Sequence, residues 1–136
     1  MDNHRSRNSH GDLAQALEAQ GDIQLGVVFG SVASGSAGPQ SDLDIAVDAG
    51  KPLSSERRMA LIDELARRTG RPVDLIDLHT AGQPLLGEVI RSGTRIVGSR
   101  DTWARWVSYH LIEAADFLPL RERMLEERRQ AWLDRS

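Results

Sequence analysis

Apolar residues along this chain recur at two spacings, one suited to helices and the other to strands. From Asp12, "DLAQALEAQ" sets Leu13, Ala14 and Leu17 along one side of a helix that Gly21 stops. "IQLGVVFG" is a short apolar run rich in β-branched and aromatic residues and closed by Gly30, the pattern of a buried strand. In "SVASGSAGPQS", Gly35, Gly38 and Pro39 oppose regular structure and predict a loop. "DLDIAV" then alternates, with Asp42, Asp44 and Ala46 on one strand face and Leu43, Ile45 and Val47 on the other. "SSERRMALIDELARRTG" returns to a helical stripe of Met59, Ile62, Leu65 and Ala66, starting near Ser54 or Ser55 and closed by Gly70. "RPVDLIDL" predicts a third strand, Val73 and Leu75 alternating against Asp74 and Ile76. "QPLLGEVIRSG" predicts a short helix stopped by Gly93, and "TRIVG" a small final strand.

The tail from Asp101 predicts helix, with Trp103, Trp106 and Val107 and then His110, Leu111 and Ala114 along one face. Pro119 should break or kink it, because proline removes a helix hydrogen bond and crowds the preceding turn. The alternation of strands and helices predicts an α/β (α+β) fold, a mixed sheet flanked by helices, rather than a bundle. At 136 residues there is room for one domain. Residues 1–10 read as a loose polar N-terminus, 11–98 as the core and 99–136 as a C-terminal helical extension.

Composition narrows the function classes. No apolar run approaches the roughly 18 residues of a membrane span, and "MDNHRSRNSHGD" lacks the apolar centre of a secretory signal. With 0 cysteines there is neither a disulfide framework nor a thiolate metal site, which fits the cytoplasm. A net charge of -3 supplies no global positive field for nucleic acid, so neither nucleic acid nor membrane is expected as a direct partner.

The chemistry concentrates in "FGSVASGSAGPQSDLDIAV". Two carboxylates two residues apart on a strand lie about 6 to 7 Å apart at the backbone and can converge on one cation. Hard cations such as Mg²⁺ take one or two carboxylates and complete their shell with phosphate oxygens and water. Gly30 lets the backbone approach a phosphate closely and Ser31 offers a hydroxyl donor, so a loop folding back between neighbouring strands would set phosphate donors opposite metal ligands.

Gly30-Ser31, ten intervening residues and then Asp42-x-Asp44 resemble the signature of the DNA polymerase beta-like nucleotidyltransferase superfamily. The resemblance extends over roughly residues 12 to 98, since "RPVDLIDL" and "PLLGEVIRSGTRIVG" are similar to that family's third-carboxylate strand and its closing helix and strand. In length the chain resembles the minimal nucleotidyltransferase (MNT) antitoxins that stand beside HEPN-domain toxins. The resemblance implies the polymerase beta-like fold and Mg²⁺-dependent transfer of AMP from ATP to a hydroxyl of a partner protein. That partner would be a cognate HEPN toxin, with the C-terminal helices as its docking face and self-association also possible. It further implies that Asp42, Asp44 and a third acid are catalytic metal ligands, with Gly30 and Ser31 binding the nucleotide. The third acid is Asp74 by resemblance, with Asp77, opposite in phase, as runner-up. One departure is Ser34, which stands where members often carry a loop arginine.

Two other readings remain open on the sequence: a small-molecule nucleotidyltransferase of the aminoglycoside type, and an antitoxin that occludes its toxin without turnover. Only one or two helices follow Gly98, little for a separate substrate domain, which favours an acceptor presented by another macromolecule. His4, His10, His79 and His110 show no paired metal spacing; His79 reads as a cap or surface residue. Trp103 and Trp106 read as core, and "RERMLEERRQ" as a solvated helix face or a partner surface.

Overall fold

The computed structural model describes the backbone of residues 2–30 and 42–134, and the side chains of 10–30, 42–115 and 123–134. Among these residues the order is helix α1 (Asp2–Glu18), strand β1 (Leu25–Phe29), β2 (Leu43–Asp48), helix α2 (Ser55–Thr69), β3 (Val73–Asp77), α3 (Gln83–Ser92), β4 (Thr94–Val97) and α4 (Arg100–Asp134). The four strands form one mixed sheet in the order β3-β2-β1-β4. β1 runs antiparallel to both β2 and β4, and β2 runs parallel to β3 through the α2 crossover.

Strand alternation sorts the side chains onto two buried faces. Val28, Leu43, Ile45, Val47 and Leu75 point to one, where Leu13, Ala16 and Leu17 of α1 and Leu61 and Leu65 of α2 cover them. Leu25, Val27, Phe29 and Ala46 point to the other, under Leu86 and Val89 of α3 and the rings of Trp103 and Trp106. The α2 helix shows why its boundaries were readable. The Ser54 hydroxyl accepts the Arg57 amide at its start, and Gly70 closes it in the left-handed region, with its amide donating to the Ala66 carbonyl.

Three expectations are corrected. The first helix begins at Asp2 rather than near Asp12; no proline precedes Pro39, and Gly11 weakens a helix without stopping it. Met59 lies outside the stripe at 71% exposure, the buried positions being Leu61 and Leu65, because the helix turns its Leu61-Leu65 ridge to the sheet. The α4 helix continues through Pro119 to Asp134: a proline removes one hydrogen bond and leaves those on either side intact.

Candidate active site

β2 alternates Asp44, Ala46 and Asp48 along the sheet face that α3 and the root of α4 cover, with Asp42 just before its first residue. Its two ends do different things. At the first, Asp44 is paired in register with Phe29 of β1 and with Asp74 of β3. Register partners on a pleated sheet point the same way, so Asp44 and Asp74 share a side, and Asp42 shares it by its i, i+2 spacing. Asp42 and Asp74 are exposed and Asp44 is half-buried. Burial raises the Asp44 carboxyl above the ordinary carboxylate range, and the neighbouring charges of Asp74, Asp42 and Glu88 push it further the same way.

Gly30 closes this end of β1. Its φ of 75° is in the left-handed region, and a Cβ there would stand 2.5 Å from Asp44 Oδ2. Glycine is therefore required twice, for the backbone turn and for the space that the carboxylate occupies. Ser31 and Ser34 lie outside the described residues, so the expected hydroxyl donor and the position of the missing loop arginine are not part of this geometry.

Asp77 lies in register with Val47, on the opposite face from Asp44 and Asp74. It is 4% exposed and already engaged: Oδ2 accepts the Leu53 amide at 2.7 Å and Oδ1 the His79 amide at 2.9 Å. It ties the loop before α2 to the end of β3. Asp77→Ala is expected to cost about 2 to 4 kcal/mol of stability in a denaturant melt, because two half-buried amides lose their acceptor. Asp74→Ala, at an exposed position, should leave the melt nearly unchanged.

Asp48, at the far end of the same row, was not singled out by the sequence pattern, although it continues the alternation. It is 6% exposed and accepts three hydrogen bonds: Gly50 N and His79 Nε2 on Oδ1, at 2.7 and 2.6 Å, and Trp106 Nε1 on Oδ2 at 2.9 Å. Burial alone would raise its pKa, but the bonds from Trp106, Gly50 and His79 outweigh it and hold the carboxyl below its ordinary value. A depressed carboxyl contributes stability above the ordinary carboxylate range and loses it as pH falls through that range toward the folded value. Indole fluorescence of Trp106 followed from pH 6 downward is expected to change as this contact is lost, and the Asp48→Asn variant should lack that acid transition. His79 therefore sits at this end, about 13 Å along the strand from Asp44 at roughly 3.3 Å per residue.

Among the described residues no three acidic or imidazole groups are gathered tightly enough to hold a metal ion by themselves. The acid end still fits a hard dication. Its donors are carboxylate oxygens, and the exposure of Asp42 and Asp74 leaves room for phosphate and water oxygens. No described helix is long and apolar enough to cross a membrane.

Residues 12–102 match the Polymerase beta, Nucleotidyltransferase family. A curated relative, the protein adenylyltransferase MntA of Shewanella oneidensis, is 36% identical over 78 residues, 57% of this chain and 56% of the relative. The chain thus spans little more than half the length of that relative. A toxin-antitoxin complex solved with AMP-PNP contains a chain of the same fold, with a TM-score of 0.77 and 25% identity over 87% of this chain and 96% of that one. A complex of the tri-AMPylated Shewanella oneidensis HEPN toxin with its MNT antitoxin matches with a TM-score of 0.74 and 23% identity, covering 90% of this chain and 97% of the other, a likeness of fold.

Proposed function

The chain belongs to the Polymerase beta nucleotidyltransferase family, and from that premise we propose that it is a protein adenylyltransferase and antitoxin, moving AMP from ATP to a hydroxyl of a cognate HEPN-domain toxin. The observation that carries this reading is the register pairing of Asp44 with Asp74, with Asp42 on the same side and Gly30 opening the space in front of Asp44. A relative described as a protein adenylyltransferase and solved toxin-antitoxin complexes of the same fold support it.

In this reading Asp42 and Asp44 would hold Mg²⁺ with the triphosphate, and Asp74 would complete the set beside the acceptor. Mg²⁺, when bound, would supply charge neutralisation on the phosphates and on the attacking oxygen. The acceptor oxygen bonds to the α-phosphorus, the bond from that phosphorus to the bridging oxygen breaks, and pyrophosphate leaves. Asp74 takes the acceptor's proton. Gly30 and Ser31 give the phosphates backbone approach and a hydroxyl donor. Catalysis is then mostly alignment and charge compensation.

The toxin docks on α4. All described side chains from Arg123 to Asp134 are exposed, and Leu111, Met124, Leu125 and Trp132 are large apolar side chains turned to solvent. Leu111, Leu125 and Trp132 recur at multiples of seven and share one helix face, which suits a helical partner.

The test is the intact mass of the co-purified partner after incubation with ATP and Mg²⁺. Gain of one or more AMP masses is the expected result. A partner bound tightly with no mass change would overturn transfer in favour of occlusion.

A further inference from the structure

Among the described side chains, those that join α4 to the body lie in its first half. At about 1.5 Å per residue, its 35 residues extend about 50 Å. Trp103 and Trp106 pack against the sheet, and Gln83 of α3 joins His110 Nδ1 at 2.8 Å and Glu113 at 2.5 Å. Beyond Ala114, the described side chains are exposed. The root is not a filled apolar seam. A cavity of about 500 Å³ opens there, lined by Gln24, Asp48, His79, Arg105, Trp106 and Tyr109. Where packing leaves a gap, polar contacts decide the angle at which the helix leaves the sheet.

We propose that Asp48 is a positioning residue for the protein acceptor: by holding Trp106 and His79 together it fixes the angle of α4, and so aims a partner docked on that helix at the acid end of the same strand. The consequence for transfer rests on the adenylyltransferase reading; the effect on the helix angle does not. Asp48 draws on three segments at once, the β2 turn through Gly50, the end of β3 through His79 and the helix through Trp106. The His79 ring also meets Trp106 edge-on with centroids 5.3 Å apart, so the indole is held by a directional hydrogen bond and by a ring contact. A small rotation about this root becomes a displacement of many ångströms at Trp132. Transfer needs reacting atoms brought to about 3 to 3.5 Å, so the contact matters to the acceptor far more than to ATP.

The test uses the full chain. It contains 0 cysteines, so spin labels on Ala60→Cys in α2 and Glu127→Cys in α4 report one distance by double electron-electron resonance. Trp106→Phe keeps a ring at the root but removes its donor, and Asp48→Ala removes the acceptor. Trp103→Phe is the control, since Trp103 packs alongside without a side-chain hydrogen bond among the described residues. The expected result is a broadened or shifted distance in Trp106→Phe and Asp48→Ala and an unchanged one in Trp103→Phe. With it should come a rise of about tenfold in the KM for the partner and an ATP KM within about twofold of wild type. Unchanged distances in both test variants, or the same change in Trp103→Phe, would overturn the positioning role. A proportional rise in both KM values would overturn it too, by showing general destabilisation. A wild-type protein that transfers nothing to its partner while the distances respond as expected would refute the adenylyltransferase reading and leave the helix-setting role standing.

Discussion

Asp44→Asn is expected to lower AMP transfer by at least about 10³-fold while making the ligand-free protein more stable. The loss follows from the role proposed for Asp44: an amide carries no charge to hold a dication, and the several kcal/mol that a bound metal contributes to phosphoryl chemistry goes with it. The gain in stability follows from the surroundings of the carboxyl and needs no bound metal. Burial and the charges of Asp74, Asp42 and Glu88 raise the Asp44 carboxyl in the folded state, so its ionisation near neutral pH opposes folding. An acid with a raised folded pKa favours the folded state more as pH falls through that value; the amide removes this dependence. Melting curves at neutral pH with and without Mg²⁺ and ATP check both parts. Wild type should melt lower than Asp44→Asn when free and should rise on adding Mg²⁺ and ATP, whereas the variant should not respond. A variant melting below wild type would show that the acid cluster is a structural network rather than a strained site.

Gly30→Ala is expected to fail on both counts. The left-handed backbone at φ 75° costs an alanine about 1 to 2 kcal/mol, and the new methyl group would stand 2.5 Å from Asp44 Oδ2, well inside contact distance. Either the backbone flattens and carries the loop away or the Asp44 carboxylate rotates. A displacement near 1 Å at a reacting centre is enough to cost about 10²-fold. Stability by denaturant melt and transfer by partner mass should therefore fall together. Full transfer with a destabilised fold would separate the bend from the chemistry.

The acid end was legible in the sequence because strand alternation is local. "DLDIAV" fixed which side Asp42 and Asp44 share, and the phase of "VDLIDL" set Asp74 against Asp77 before any pairing was known. The pairing of β2 with β3 supplies what spacing could not: Asp44 lies beside Asp74, and Asp77 is committed to the Leu53 and His79 amides. The Asp48 network was not legible, because its acceptor and the Trp106 donor are 58 residues apart and nothing local marks either as a partner. The exposed Met59 shows a different limit, since Ile62 and Leu65 of the expected stripe do face the core, but where apolar residues are dense the stripe can take in Met59 and miss Leu61. Pro119 shows a third: a residue that weakens a helix does not dictate where it ends.

The central claim is that a metal-bound triphosphate rests between Gly30 and the side of β2 and β3 that carries Asp42, Asp44 and Asp74. Crystals grown with Mn²⁺ and a non-hydrolysable ATP analogue test it through the anomalous signal of the metal. The account predicts a peak within coordination distance of the Asp42 and Asp44 carboxylates with the triphosphate alongside. A nucleotide-bound structure with its metal elsewhere, or with the nucleotide lodged at the Asp48 end of the sheet, would contradict it.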